Sequence, residues 1–263
     1  MALTYVIYTH KCNLHCNHCD IRLRPDNFDL NSFLSKYQDI DTDIVLFGGE
    51  PLLKFDLLKT LLENNRNVTS ISSNMLLWDN NYKSLLENYP KVHISSSWNP
   101  GRFTQEQYLL WLKNLSDSQL VTEINITLTK DLFELPEDAI INLFSDLDKI
   151  NSLQFIAFEP LVPDYNSAEG DEFLYKIYDK IKNFRIKLDL NKIFGKKYCG
   201  GIKTLLPNGN LVDGCPQWYV ENQKMQKECF GCKLLPICKP CKKIIGCSFP
   251  KNFYNKLKLE NII

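Results

Sequence analysis

The sequence predicts an α/β chain of six strand–helix units followed by a small cysteine-rich appendage. Three observations predict it. Short β-rich apolar runs alternate with helical patterns six times between residues 3 and 184. Two of the middle runs are apolar on one face and polar on the other. The cysteines gather at the two ends and leave residues 20–198 without any. Repeated βα units imply parallel strands joined by right-handed crossovers. Six of them make either an open doubly wound sheet or an incomplete (β/α)6 barrel.

The first strand is "LTYVIYT", 3–9, and its helix is "LNSFLSKYQDI", 30–40. "DIVLFGG", 43–49, precedes "KFDLLKTLLENN", 54–65, and "VTSISSN", 68–74, precedes "NNYKSLLENY", 80–89, with Asn80 placed to cap the helix. "KVHISSS", 91–97, leads to "TQEQYLLWLKNL", 104–115, where Thr104 is the expected cap. "VTEINITLT", 121–129, leads to "PEDAIINLFSDLDKI", 136–150, and "SLQFIAFEPL", 152–161, to "DEFLYKIYDKIKNF", 171–184. In the fifth strand Ile124, Ile126 and Leu128 share one face, and Asn125, Thr127 and Thr129 the other. In the fourth, Val92 and Ile94 oppose His93, Ser95 and Ser97. A parallel strand covered on both faces is almost continuously apolar. A polar face suits a barrel whose interior holds a polar ligand, while an edge strand with a wet face is the alternative. The domain organisation expected is a body over 1–190 and an appendage over 191–263.

Composition removes several function classes. With 263 residues the chain can bury a large core. Lys+Arg and Asp+Glu both number 31, so no broad field steers nucleic acid or an anionic membrane towards it. No apolar stretch approaches the ~18 residues that span a bilayer. The start "MALTYVIYTH" lacks a signal-peptide pattern, and a cytoplasmic location is expected. Thiols stay reduced there, so ten cysteines point to metal rather than to disulfides.

Cys12, Cys16 and Cys19 stand in the loop after the first strand with the spacing Cys-x3-Cys-x2-Cys. Three thiolates from one loop can hold three irons of a 4Fe–4S cube, and the fourth iron is then an open Lewis-acid position. Zinc could be bound by the same cysteines with His15 or His18, but four ligands within one short loop would staple that loop only to itself. The other seven are Cys199, Cys215, Cys229, Cys232, Cys238, Cys241 and Cys247. "LLPNGNLVDGC", 205–215, reads as a β-hairpin turning at Asn208-Gly209, which would bring Cys199 and Cys215 together. The pairs Cys229–Cys232 and Cys238–Cys241 could build a zinc ribbon, though ribbons usually put ~15–20 residues between pairs.

"CNLHCNHC" resembles the cluster loop of the radical S-adenosylmethionine (SAM) enzymes, whose motif follows the first strand of a partial (β/α)6 barrel. "FGGEPLL", 47–53, resembles that family's Gly-Gly-Glu segment after strand two. "SSNMLL", 72–77, resembles its Thr-Asn-Gly stretch, and "ISSSW", 94–98, stands where relatives carry Ser-Leu-Asp-Gly, with Ser97 and Trp98 replacing the last two. The resemblance implies that Cys12, Cys16 and Cys19 bind the cluster and that SAM chelates its open iron. It makes His18 a neighbour of the adenine, and gives Gly48, Gly49 and Glu50 to the methionine amino group. Asn74, Ser95 and Asn125 become further SAM contacts. Arg102, just after strand four, could pair with the SAM carboxylate, although its spacing does not match that of relatives; its alternative is a solvated surface arginine.

The tail is similar to the SPASM domain, a C-terminal extension of such enzymes carrying two auxiliary 4Fe–4S clusters. Two of its spacings depart from that pattern: five residues rather than four follow Gly209, and two rather than three separate Cys238 from Cys241. The resemblance implies one auxiliary cluster on Cys199, Cys215 and Cys241, and another on Cys229, Cys232, Cys238 and Cys247. All ten cysteines are then used.

The implied activity is reductive cleavage of SAM to a 5′-deoxyadenosyl radical, which takes a hydrogen atom from an unactivated C–H bond. The implied partners are an external one-electron reductant of flavodoxin or ferredoxin type, and a peptide or a small molecule such as a sugar or nucleoside as substrate. Neither a membrane nor nucleic acid is expected. Peptide maturases often carry an extra N-terminal recognition domain; the first strand begins near residue 3, so none is expected here. Glu159, near the end of strand six, is the candidate general base, its alternative being a salt-bridged rim carboxylate. A zinc-binding module and a non-catalytic iron–sulfur electron carrier are the rival classes.

Overall fold

The computed structural model describes residues 3–16, 19, 21, 28–159, 167–190, 202–213 and 251–262. His18 and all seven tail cysteines (Cys199, Cys215, Cys229, Cys232, Cys238, Cys241 and Cys247) lie outside the described residues. The chain is α/β, and its backbone packs as two compact units. One comprises Met1–Ile124 with Gly200–Glu221, the other Asn125–Cys199 with Asn222–Ile263.

In the first unit β1 (Leu3–Ile7), α1 (Leu30–Tyr37), β2 (Asp43–Phe47), a 3-10 turn (Pro51–Leu53), α2 (Phe55–Asn64), β3 (Val68–Ser72), α3 (Asn80–Leu86), β4 (His93–Trp98) and α4 (Gln105–Ser118) follow one another as the periodicity predicts. The hairpin β8 (Ile202–Leu205) and β9 (Leu211–Asp213) completes it. Its strands are ordered β4-β3-β2-β1-β8-β9. All these pairs are parallel except β8 with β9. The hairpin turns where predicted. Leu206 and Asn210 close it with a 2.9 Å bond, and Gly209 takes φ +81, a left-handed conformation that suits glycine.

The strands of this unit are two-faced. Ile44, Leu46, Ile94 and Ser96 are fully buried, whereas the alternating Val45, Phe47, Ser95 and Ser97 are only half-buried. The buried polar Ser96 is satisfied by the indole Nε1 of Trp111 on α4, 3.0 Å away. Thr104 caps α4 as expected and forms a reciprocal capping box with Gln107. The cap of α3 is Asp79 instead of Asn80: its carboxylate accepts from the N–H groups of both Asn81 and Tyr82. An ionised acceptor at a helix N-terminus is favoured by the helix dipole as well.

β5 (Val121–Thr127) straddles the division of the chain. Its Ile124 and Ile126 are buried, its Asn125 and Thr127 half-buried. The second unit continues with α5 (Lys130–Phe133), α6 (Glu137–Asp148), β6 (Phe155–Glu159), α7 (Ser167–Ile181), β7 (Lys187–Leu188) and α8 (Lys251–Leu259). β6 and β7 are parallel. The sequence pattern did not reveal α5, β7 or α8. α8 docks on α7 through Phe253 and Leu257, both fully buried, and through Asp171. That buried carboxylate accepts from Asn252 N at 2.7 Å and Phe253 N at 2.8 Å, serving as the cap of a helix 81 residues further along. No helix among the described residues is long and apolar enough to cross a membrane.

Candidate functional site

The loops after β1, β2, β3 and β4 leave the C-terminal ends of parallel strands, where open α/β sheets and barrels place their ligands. Cys12, Cys16 and Cys19 stand in the first of these loops, all half-buried and none in a disulfide. Cys19 N donates to Cys16 O at 3.1 Å, closing a turn, and Leu14 N donates to the Cys12 sulfur at 3.4 Å. His15 is exposed. Burial pushes the Cys12 thiol up, against the Leu14 N–H and the Arg102 charge. Among the described residues no group of three His, Cys, Asp or Glu is arranged to hold a metal ion.

Gly48 and Gly49 fasten the β2 loop to the start of the cysteine loop. Gly49 N donates to Thr9 O at 2.9 Å and Glu50 N to Lys11 O at 2.8 Å. A Cβ on Gly48 would lie 2.4 Å from Thr9 O, and one on Gly49 would lie 2.1 Å from Lys11 O. The close approach that these glycines permit is to the chain's own backbone.

Glu50 is 1 % exposed. One carboxylate oxygen accepts from Leu52 N at 2.9 Å and from Ser73 Oγ at 2.8 Å, and the other accepts from Asn74 N at 2.7 Å. The carboxylate thus ties the loops after β2 and β3 together and caps the 3-10 turn. Tyr8 OH donates to Pro51 O at 2.9 Å, and Tyr82 OH donates to Leu52 O. Burial raises the Glu50 pKa from its ordinary 4.5, opposed by the three hydrogen bonds and by Arg102. The folded chain therefore holds this proton to higher pH than the unfolded chain does. The resulting stability is complete below the ordinary glutamate value and is lost as pH rises through the raised one. Denaturant midpoints taken from acid to neutral pH are expected to fall for wild type relative to Glu50→Gln. A gap that does not change with pH would refute this.

Beyond β3, Met75 is fully buried with φ +63, a left-handed conformation that costs a non-glycine residue ~1–3 kcal/mol. It is held from both sides: its N–H donates to Ser73 Oγ at 2.9 Å, and its carbonyl accepts from Asn114 Nδ2 at 2.7 Å. Asn74, 2 % exposed, has its Oδ1 engaged by Leu76 N at 3.0 Å and its Nδ2 by Asn13 Oδ1 at 2.7 Å. Ser95 is half-buried on β4, and its carbonyl accepts from Ser73 N at 3.0 Å.

Arg102 is half-buried. Its charge acts on both Cys12 and Glu50, its buried Nε has no hydrogen-bond partner among the described residues, and its guanidinium lies 5.5 Å from the Phe103 ring centroid. A buried guanidinium N–H left without an acceptor suits an anionic ligand group. Cys12, Gly48, Gly49, Glu50, Asn74 and Arg102 are thus gathered in one place, with Ser95 on the adjoining strand end. Asn125 and Glu159 belong to the second unit and are half-buried there, and the Glu159 carbonyl accepts from Leu128 N at 2.9 Å.

Sequence reasoning missed Asn13, Ser73 and the left-handed Met75. The only signal was the polar Ser-Ser-Asn run that ends β3. No protein-family model matches this chain, and no curated relative does.

Proposed function

We propose that this chain is a radical SAM enzyme: an incomplete (β/α)6 barrel over 1–190 bearing a SAM-binding 4Fe–4S cluster, with two auxiliary clusters in the tail over 191–263. One observation carries the reading. A Cys-x3-Cys-x2-Cys loop leaves the C-terminal end of β1, and a Gly-Gly-Glu loop leaving the neighbouring strand is hydrogen-bonded to its start. The chemistry of the donor set suits the group, while among the described residues the three thiols are not drawn into one metal-holding group. Three half-buried thiols on one loop suit a cube with one open iron, and Arg102 offers to a carboxylate a buried N–H that has no partner among the described residues.

When bound, the cluster would supply one-electron chemistry for reductive cleavage of SAM and so for hydrogen-atom abstraction from substrate. The residues bind and orient. Cys12, Cys16 and Cys19 hold the iron. Gly48 to Glu50 keep that loop against β2, and Arg102 takes the carboxylate of SAM. The half-buried Ser95 and Ser97 line a polar strand face of the first unit on which substrate can be positioned. The substrate is a peptide, with a small molecule such as a sugar or nucleoside as the alternative, and a flavodoxin- or ferredoxin-type protein supplies the electron. Anaerobically purified, reconstituted protein is expected to carry about twelve irons per chain and to cleave SAM when reduced with dithionite. Zinc in place of iron, or iron without SAM cleavage, would overturn the reading in favour of a zinc module or an electron carrier.

A further inference from the structure

The Asn74 side chain is oriented without ambiguity. Its Oδ1 is committed to Leu76 N at 3.0 Å, so the amide nitrogen must face the cysteine loop. One Nδ2 hydrogen goes to Asn13 Oδ1 at 2.7 Å, and Nδ2 also lies 4.0 Å from the Cys12 sulfur. The backbone of Asn74 cannot drift, because its N–H is bound to the buried Glu50 carboxylate at 2.7 Å and the next residue is locked in its left-handed turn from two sides. An amide donor held this firmly beside a sulfur has a consequence once that sulfur is a metal-bound thiolate, which is an acceptor only. Leu14 N, at 3.4 Å, is the second donor to the same sulfur.

We propose that Asn74 is a positioning residue that aims its amide N–H at the Cys12 sulfur and so raises the reduction potential of the cluster held there. This rests on the cluster assignment given above. A hydrogen bond to a ligating sulfur draws electron density from it and favours the more negative, reduced state of the cluster. The effect runs through Cys12, so Asn74 need not touch SAM or substrate to exert it.

The test is an anaerobic redox titration of the full-length, reconstituted chain, monitored by electron paramagnetic resonance. It follows the reduced-cluster signal that changes when SAM is added, which separates this cluster from any other. Asn74→Leu removes the donor at similar volume. At an applied potential in the middle of the wild-type transition, its reduced-to-oxidised ratio is expected to fall about threefold to tenfold, the range for loss of one hydrogen bond. Asn13→Ala frees the Asn74 N–H from its competing acceptor, so the ratio should hold or rise. An unchanged or higher ratio in Asn74→Leu, or an equal fall in Asn13→Ala, overturns the proposal. If Asn74→Leu fails to load iron, Asn74→Ala is read the same way, and failure of both makes the residue merely structural and also overturns it. A wild-type protein with no SAM-responsive signal refutes the enzyme reading itself, a different and recognisable outcome.

Discussion

Changing Cys12, Cys16 and Cys19 together to alanine is expected to abolish SAM cleavage while leaving about eight of about twelve irons bound. The three thiols are half-buried and belong to no helix or strand, so their loss removes no packed core side chain. The nearest structural cost is the sulfur acceptor of Leu14 N, a long contact at 3.4 Å. The unfolding midpoint should therefore stay close to that of the wild type without its iron. Iron analysis and detection of 5′-deoxyadenosine after reduction check the outcome together. Cleavage that survives the triple change would place the reactive cluster elsewhere, and loss of all the iron would mean that the tail holds none by itself.

Replacing Gly49 by alanine is expected to cost about 3 kcal/mol or to prevent folding, at the upper end of what overpacking does. The added Cβ would meet Lys11 O at 2.1 Å and His10 O at 2.5 Å, both backbone atoms of the loop that leaves β1. No side-chain rotation relieves such a clash. Relief requires the cysteine loop to move off β2, which breaks the bonds from Gly49 N to Thr9 O and from Glu50 N to Lys11 O. Gly101→Ala is the contrasting change: its Cβ meets nothing within 4 Å, so only the left-handed strain at φ +67 remains, about 1–2 kcal/mol. Denaturant midpoints of the two variants should differ accordingly. Equal midpoints would show that the junction between the two loops gives way easily.

Much of the architecture was legible in advance. The alternation of Ile94 with Ser95 and of Ile126 with Asn125 placed buried and half-buried faces correctly, because burial on one side of a strand imposes a period of two. The short α5 and the two-residue β7 were not legible, since four and two residues carry no periodic signal. α8 hid for another reason. Lys251, Asn252, Asn255, Lys256 and Lys258 dilute its pattern, and only Phe253 and Leu257, one turn apart, are its buried apolar residues. At the site, residue types within one loop could be read directly, but bonds across loops could not. Nothing local connects Glu50 to Ser73 and Asn74, which lie 23 and 24 positions away. Gly48 and Gly49 could be identified as glycines that permit close approach, yet only the folded chain reveals that what approaches is the backbone of Thr9 to Lys11.

Asp171 gives the end of the chain a role that its polar composition disguises. By gripping the start of α8, it gives the chain a mooring at that helix, and the paired β9 strand is another, earlier in the sequence. Six of the ten cysteines, from Cys215 to Cys247, lie between those moorings. A tethered chain has fewer conformations to surrender when it wraps around an inorganic core than one trailing into solvent does. On the metal-binding reading proposed above, gathering those cysteines would therefore cost less entropy than gathering the same cysteines on a free tail.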